Sequence, residues 1–401
     1  MNLITSTQFA SAAADGADWR ECAKAVLEQL EDVKTNEDSF NFGFLYISDA
    51  LVDDGASILN LFKSVLNIDN WIGAVAVGVC GGNEAYIDVP AISAMVGRFE
   101  GDAVTIFEAN AQNDHIGTWL SQHHPMLVFT HGDPLADTDH ALALSQASER
   151  LDGFMVGGMS SSRSEHFQIA GDKLQQNGFS GALFSGSVKV ATTLSQGCAP
   201  IGAAHVVTSA TDNTILELDG DKAMAAFEDD LRLFALKRTG KDPDKIILEA
   251  SEDIPDEFQS ALTGEVHVGF PIPNSDQQDF LVRNLMGIDP NAGAIMVAQM
   301  VNKGDSLLFV HRDDESVERD LREKLKALKA RIESDEGVFA PKGGVYVSCV
   351  ARAFSHGRDA PDEMQIIREE LGEFPITGFY AGGEISNARL YGYTGILTLF
   401  L

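Results

Sequence analysis

The stretch Ile376-Thr377-Gly378-Phe379-Tyr380-Ala381-Gly382-Gly383-Glu384-Ile385-Ser386, near the end of the chain, has a counterpart in the middle, Leu151-Asp152-Gly153-Phe154-Met155-Val156-Gly157-Gly158-Met159-Ser160. Each contains an apolar residue, Gly-Phe, two further residues, a glycine pair and then a serine. The flanking blocks also agree, since 91–109 resembles 292–310 and 181–186 resembles 387–392. This repetition predicts two homologous modules in tandem, with a groove between them as the first place to look for a ligand.

We therefore expect an α/β (α+β) fold of two modules related by a pseudo-twofold axis, covering 1–215 (with a small-residue leader over 1–17) and 216–401. Several strand-like segments are separated by two-residue turns, which predicts antiparallel pairing. Each module should then be a mixed or antiparallel sheet covered by helices. Apolar residues at three- and four-residue steps predict helices over 19–33, 58–66, 137–150, 221–237 and 317–332, and an apolar run predicts a strand over 246–248.

The composition excludes several classes of protein. The formal net charge of −31 would repel a phosphate backbone, so we expect no nucleic-acid partner. No apolar run approaches the ~20 residues of a membrane helix, and the N-terminus lacks the pattern of a secretory signal. The four cysteines, Cys22, Cys80, Cys198 and Cys349, are far apart, which predicts a reduced, cytoplasmic protein without a thiolate metal site.

Five dispersed motifs resemble the FIST domain family, in which a FIST N-terminal part precedes a FIST C-terminal part, and the resemblance covers nearly the whole chain. The motifs are Gln196-Gly197-Cys198-Ala199-Pro200-Ile201-Gly202, 279–284 with Gly287-Ile288-Asp289, His311-Arg312-Asp313, Ser348-Cys349-Val350-Ala351-Arg352 and 378–385. Many relatives carry Arg at the position of Ala199 and Pro at that of Ala203, so this chain lacks the guanidinium with which the first motif could bind an anion.

The resemblance implies a sensory, ligand-binding protein of intracellular signal transduction, not an established catalyst. Small ligands such as amino acids or other small carboxylates are implied, with no cofactor. The output would be a separate signalling protein such as a histidine kinase or a cyclase. Some members resemble haem-based nitric-oxide sensors, which makes haem the alternative and His131, at the end of a strand, the candidate ligand.

Each of the following motif residues has two possible roles, one in ligand binding or reactivity and one in the structure. Cys349, near Arg352, is a reactive thiolate or a small buried hydrophobe. Arg283 and Arg352 bind a ligand carboxylate or hold an internal carboxylate such as Glu384 or Asp313. The pair Gly382-Gly383, like Gly157-Gly158, lets backbone N–H groups approach a ligand or forms a close sheet contact.

The predicted ligand site contains nine residues of the motifs, and no catalytic residue or metal ligand is predicted. They are Cys349, Arg352, Glu384, Arg283, Asn284, Gln196, Cys198, Gly382 and Gly383. A third class of function, an enzyme with Cys349 as nucleophile and His356 or His131 as base, has no visible oxyanion element in the sequence.

Overall fold

The computed structural model describes residues 4–5, 8–31, 40–108, 114–239, 266–272, 279–353 and 363–401. The contacts divide the chain into two compact units: unit 1 consists of Met1–Ser195 and Glu318–Leu401, and unit 2 of Gln196–Val317. The module boundary predicted near residue 215 falls inside unit 2. The strand predicted over 246–248 and the side chain of His356 lie outside the described residues.

The helices predicted from apolar periodicity are confirmed. The described helices are α1 (Trp19–Glu31), α2 (Gly55–Leu66), α3 (Asp114–Gln122), α4 (His140–Leu151), α5 (Ala223–Thr239), α6 (Asp314–Glu336), α7 (Val350–Ala353) and α8 (Glu363–Leu371). Asp18 caps α1, because its Oδ1 accepts hydrogen bonds from the backbone N–H groups of Arg20 at 2.8 Å and Glu21 at 3.0 Å. None of the helices among the described residues is both long and apolar enough to cross a membrane.

Unit 1 contains three sheets. Each combines one parallel pair of strands with antiparallel pairs, so the predicted mixed sheets are confirmed. Its strands are β1 (Ile4–Thr5), β2 (Phe9–Asp15), β3 (Phe42–Ser48), β4 (Trp71–Ala76), β5 (Gly78–Gly81), β6 (Glu84–Ile87), β7 (Ala91–Gly97), β8 (Val104–Glu108), β9 (Pro125–Gly132), β10 (Phe154–Met159), β11 (Gln168–Ala170), β12 (Lys173–Gln175), β13 (Phe179–Ser185), β14 (Val190–Ser195), β23 (Gly343–Cys349), β24 (Ile376–Ala381), β25 (Glu384–Ser386), β26 (Arg389–Tyr391) and β27 (Gly395–Phe400). The strand orders are β1-β2-β7-β3-β4-β11-β12, β26-β25-β10-β9-β13-β8 and β14-β27-β23-β24-β5-β6.

The same four-strand arrangement occurs in all three sheets. Each has one parallel pair, β3–β4, β9–β10 or β23–β24, whose two strands are connected through helical segments. The first strand of each pair is flanked by an antiparallel strand, β7, β13 or β27, which lies next to β2, β8 or β14. Each repeat also contributes a hairpin to another repeat's sheet: β5–β6 joins β24, β11–β12 joins β4, and β25–β26 joins β10. Unit 1 is therefore built from three interlocked repeats.

A glycine occupies the same position in the second strand of every parallel pair. A Cβ atom at Gly73, Gly157 or Gly378 would lie 1.8–1.9 Å from the carbonyl oxygen of the residue opposite, which is Leu45, Thr130 or Tyr346. No larger residue fits so close to a neighbouring backbone, so the three glycines are a requirement of the repeat.

The repetition differs in detail from the one expected from the sequence. The Gly-Phe blocks fall on equivalent strands, β10 and β24, but at different positions, because Gly153 precedes β10 whereas Gly378 lies inside β24. The segment 181–186, however, lies in β13, which corresponds to β27, whereas its expected counterpart 387–392 forms the hairpin β25–β26. Residues 104–107 lie in β8 of unit 1, while 306–310 belong to unit 2. The pseudo-twofold relation stays a prediction.

Helices cover one face of each sheet, as expected, while aromatic side chains pack between the sheets. Val26 of α1 and Phe62 of α2 pack with sheet residues of the first repeat, and Leu325 of α6 packs with Tyr346 in the third. Inside, Phe44 contacts Phe129 with ring centroids 5.7 Å apart, so strands of different sheets meet through aromatic rings.

Unit 2 is a single antiparallel sheet whose described strands pair in a closed ring. The strands are β15 (Ala199–Pro200), β16 (His205–Thr211), β17 (Thr214–Leu218), β18 (Asp221–Lys222), β19 (Val266–Pro271), β20 (Phe280–Asp289), β21 (Ala294–Val297) and β22 (Ser306–His311). The pairing runs β16-β17-β21-β20-β19-β22 and returns to β16. Phe227 of α5 packs on this sheet beside Phe309, with ring centroids 4.8 Å apart.

Candidate functional site

The candidate site of unit 1 lies where the parallel strands β23 and β24 end. Cys349, the last residue of β23, pairs with Ala381, the last residue of β24. Arg352 follows in α7, and Glu384 begins β25 directly after the glycine pair. Because parallel strands end at the same edge of a sheet, two motifs that are about thirty residues apart in sequence come together there.

Glu384 is a completely buried carboxyl group, with 0% of the residue exposed. Its Oε2 accepts hydrogen bonds from the backbone N–H of Thr394 at 2.9 Å and from the Thr394 hydroxyl at 2.8 Å. Its Oε1 is buried and receives no conventional hydrogen bond from the described residues. Burial raises the pKa of Glu384 to about 7, although the hydrogen bonds from Thr394 and Cys349 and the charge of Arg352 oppose this shift.

Cys349 is buried next to Glu384. Burial, and after it the negative charge of Glu384, raises the pKa of the Cys349 thiol far above its usual value. The backbone N–H of Cys349 donates to the Thr394 carbonyl at 2.9 Å, which fixes the end of β23. The surroundings therefore favour a protonated thiol over the thiolate that a nucleophile or redox sensor requires.

Arg352 forms a buried ion pair with Glu363, the first residue of α8. Its Nε donates to Glu363 Oε1 at 2.6 Å, and the other carboxylate oxygen accepts from the Ser348 hydroxyl at 2.6 Å. Its Nη1 donates to the Tyr393 carbonyl at 3.2 Å. Burial alone would lower the pKa of Arg352, but the charge of Glu363 outweighs it and raises the pKa. Of the two predicted roles, the structure shows the internal pair, with a partner that the sequence analysis did not identify.

The glycine pair makes a close sheet contact. The N–H of Gly382 donates to the Met159 carbonyl at 3.0 Å, and the N–H of Met159 donates to the Gly383 carbonyl at 2.8 Å. A Cβ at Gly383 would lie 2.9 Å from the Leu390 side chain. These two glycines therefore connect β24 to the end of β10, which is the structural role considered for them.

The other predicted site residues lie in unit 2. Gln196 is buried, and its Nε2 donates to the Phe280 carbonyl at 2.5 Å. Arg283 is half-buried on β20, where its Nη1 donates to the Val282 carbonyl and burial lowers its pKa. Asn284 is exposed and Cys198 is half-buried. A single site that includes both groups of residues stays a prediction.

Gly202, the last residue of the Gln-Gly-Cys-Ala-Pro-Ile-Gly motif, packs against a carboxylate that the sequence analysis did not identify. A Cβ at Gly202 would lie 2.0 Å from carboxyl atoms of Asp230, a buried residue of α5. His205 bridges two carboxylates, with Nδ1 2.7 Å from Asp219 and Nε2 3.1 Å from Asp230. Burial would lower the pKa of His205, but the hydrogen bonds to Asp219 and Asp230 outweigh it and raise the pKa. Neither aspartate follows a recognisable motif, so the sequence offered no signal for this cluster.

His131 does not fit a haem ligand. The residue is completely buried, its Nε2 lies 3.1 Å from the Tyr46 hydroxyl, and its ring contacts those of Phe129 and Phe379. Burial lowers its pKa to about 3, which keeps the ring neutral. A macrocycle at this nitrogen would have to displace the aromatic core. Among the residues that the structure describes, no group of three or more His, Cys, Asp or Glu side chains forms a metal site.

Comparisons with known proteins place these motifs in one family. The model of the FIST N domain matches residues 41–221, and that of the FIST C domain matches 244–387. An uncharacterised protein of Mycobacterium tuberculosis (strain ATCC 25618 / H37Rv) is 30% identical over 214 residues, 52% of this chain and 50% of that protein. An uncharacterised protein of Mycobacterium bovis (strain ATCC BAA-935 / AF2122/97) is 25% identical over 400 residues, 96% of each chain.

The two domain models together match most of the chain, which therefore belongs to the FIST family. FIST domains are associated with sensing in signal transduction. The chain spans about half the length of the Mycobacterium tuberculosis relative that it matches.

Proposed function

We propose that this FIST-family protein is a cytoplasmic sensor that binds a small molecule, an amino acid or another small carboxylate, beside Glu384 in unit 1. Occupancy would pass to a separate output protein such as a histidine kinase or a cyclase. The proposal rests on one observation: a completely buried carboxyl group has an oxygen that no conventional hydrogen bond from the described residues satisfies.

The unsatisfied oxygen favours a ligand that carries a hydrogen-bond donor. The thiol of Cys349, which also hydrogen-bonds Glu384, is only a weak donor. A buried acceptor without a strong donor costs up to about 1–3 kcal/mol, and a ligand N–H group would remove that cost. A ligand ammonium group would also favour the charged form of Glu384, whose pKa of about 7 leaves both forms populated near neutral pH. An α-amino acid supplies this ammonium group.

The ion pair next to Glu384 offers a route from occupancy to conformational change. The carboxylate of an amino acid would compete with Glu363 for the guanidinium of Arg352. Because Glu363 begins α8 and also accepts the hydrogen bond from Ser348, its displacement would alter the start of that helix. A ligand that binds one arrangement of α8 better than the other shifts the population between them.

The test is calorimetric titration of the protein with each of the twenty common L-amino acids. We expect at least one to bind and Glu384→Gln to weaken that binding by about tenfold or more, because the carboxylate partner of the ammonium group is lost. Glu28→Gln, an exposed glutamate of α1, is the matched control and should bind normally.

Two results would contradict the proposal: no measurable binding of any amino acid, or equal affinity of the Glu384→Gln variant and the unchanged protein. The further contributions predicted for Gln196, Cys198, Arg283 and Asn284 can be tested in the same titration.

A further inference from the structure

A cavity of about 630 Å³ opens beside α4 in unit 1, within the range of about 300–1,000 Å³ that is typical of small-molecule sites. Three segments line it: the loop 136–138 that follows β9, one face of α4, and the turn 177–178 that leads into β13. The cavity shares no lining residue with the site around Glu384. It is therefore a second candidate binding site, which the proposed function does not use.

Hydrogen bonds tie the three walls of this cavity together. Asp133 is only 5% exposed, and its Oδ2 accepts a hydrogen bond from the backbone N–H of Asn177 at 3.0 Å. The backbone N–H of Asp133 donates to the Gly178 carbonyl at 3.0 Å, so the loop and the turn are joined twice. His140, the first residue of α4, has its Nε2 3.0 Å from the Pro134 carbonyl, which joins the loop to the helix. The cavity is therefore preformed, and a ligand need not order its walls.

Two charged side chains line the cavity, Asp137 from the loop and Arg150 from the last turn of α4. Both are exposed, and neither side chain has an ion-pair or hydrogen-bond partner in the part of the chain that the structure describes. One carboxylate and one guanidinium that are both available complement a ligand with an ammonium group and a carboxylate. The lining also includes the exposed side chains of Thr138 and Gln146, which can exchange hydrogen bonds with amide groups.

The spacing of the two charges decides the size of the ligand. Asp137 precedes α4, and Arg150 lies near its other end, so about 15 Å of helix axis separates their ends of the cavity. An amino acid carries its ammonium group and carboxylate on one carbon atom and cannot bridge this distance. An extended peptide advances about 3.3–3.6 Å per residue, so three residues cover about 10 Å and the two side chains cover the rest. Ala143 and Ala147 line the cavity between the two ends, and their small side chains leave room for a peptide backbone.

We propose that this cavity binds a short peptide with free termini, about three residues long. The N-terminal ammonium group would pair with Asp137 and the C-terminal carboxylate with Arg150. The peptide amides would exchange hydrogen bonds with Thr138 and Gln146. This site goes beyond the proposed function, and its presence does not depend on what Glu384 binds.

Four forms of trialanine separate the contributions of the two termini in a calorimetric titration: both termini free, N-acetylated, C-amidated, and blocked at both ends. We expect free trialanine to bind about tenfold more tightly than the doubly blocked form, since each exposed ion pair contributes up to about fivefold. Its affinity should fall as salt is added, and dialanine, which is too short to reach both charges, should bind more weakly. No measurable binding of free trialanine, or equal affinity for the doubly blocked form, would overturn the proposal.

Variants at the two exposed charged residues then locate each terminus. Arg150→Gln should weaken the binding of free trialanine by up to about fivefold but leave that of the C-amidated form unchanged, because the amide has no charge to lose. Asp137→Asn should have the same effect, with the N-acetylated form as the insensitive peptide. Lys24→Gln, a lysine exposed on α1, is the matched control and should leave every affinity unchanged. If both cavity variants bind free trialanine as tightly as the unchanged protein does, the peptide lies elsewhere and the assignment is refuted.

Discussion

Unit 1 and unit 2 differ in how uniformly the charged residues of their motifs are buried. In unit 1, Arg352 and Glu384 are buried at the edge of a sheet. In unit 2, Arg312 is buried, Arg283 is half-buried on a strand and Asp289 is exposed. The comparison indicates that the motif charges of unit 1 belong to its core and its candidate site together, whereas those of unit 2 range from the core to the surface. Substitution of Arg352 or Glu384 should therefore lower the stability of the fold more than substitution of an exposed motif residue of unit 2 such as Asp289.

The largest effect should come from the buried ion pair of unit 1. Arg352→Met leaves the Glu363 carboxylate buried without its partner, which should lower the free energy of unfolding by about 3–5 kcal/mol. Urea denaturation of the variant and the unchanged protein measures this difference in the free energy of unfolding. Arg322→Met, in the more exposed network of Arg322 with Glu369 and Glu370, should cost no more than about 1 kcal/mol.

The double variant Arg352→Met with Glu363→Met should recover much of the lost stability, because no buried charge then lacks a partner. If Arg352→Met costs no more than Arg322→Met, the ion pair does not stabilise unit 1.

The threefold repeat of unit 1 gives the next largest effect. Gly378→Ala places a Cβ 1.9 Å from the Tyr346 carbonyl oxygen, so β23 and β24 must separate. We expect a loss of about 3 kcal/mol in thermal or urea unfolding, and similar losses for Gly73→Ala and Gly157→Ala. Gly117→Ala in α3, where a Cβ meets nothing within 4 Å, should be neutral or slightly stabilising. Tolerance of alanine at all three strand positions would contradict the repeat.

In unit 2 the corresponding test concerns Gly202. Gly202→Ala forces the Asp230 carboxylate away from its position beside His205 and should cost about 2 kcal/mol. The same substitution in an Asp230→Ala background should cost clearly less, because the clashing group is gone. Equal costs in both backgrounds, measured by urea denaturation, would show that the carboxylate is not the obstacle.

The smallest effect should be the pH dependence of His205. The pKa of His205 is raised in the folded protein, so its pairs with Asp219 and Asp230 contribute fully below the unfolded value of 6.5. The contribution, about 1 kcal/mol, is lost as the pH rises through the folded pKa. His205→Asn should remove this part of the stability profile, whereas His124→Asn, at an exposed residue, should retain it. Identical profiles for both variants would exclude the role of His205.

The sequence predicted the elements better than their arrangement. The apolar stripe of Leu321, Leu325, Leu328 and Ile332 predicted α6, because residues three and four positions apart lie on one face of a helix. The first of the three repeats was missed because β4 has Gly73 at the required position but lacks the Gly-Phe block that marks β10 and β24. Strand pairing across repeats is a long-range property that no local pattern encodes.

The candidate site was predicted only in part, because some of its contacts join residues that no local sequence pattern connects. Cys349, Arg352 and Glu384 come together, as their motifs suggested, because parallel strands end at one edge. Glu363, the partner of Arg352, follows it by eleven residues and belongs to another helix, so only the folded structure identifies it. Asp230 approaches Gly202 in the same non-local way.

The most direct test of the central claim is the titration of Glu384 itself, followed by carbon-13 NMR of glutamate-labelled protein and assigned with Glu384→Gln. A buried carboxyl with one unsatisfied oxygen should titrate at about 7, above the ordinary 4.5. The folded protein then binds more protons than the unfolded chain between these values. Its stability should fall by about 3 kcal/mol as the pH rises through that interval, and Glu384→Gln should abolish the fall. A midpoint near 4.5 would show a solvated or fully paired carboxylate and would contradict the proposed site.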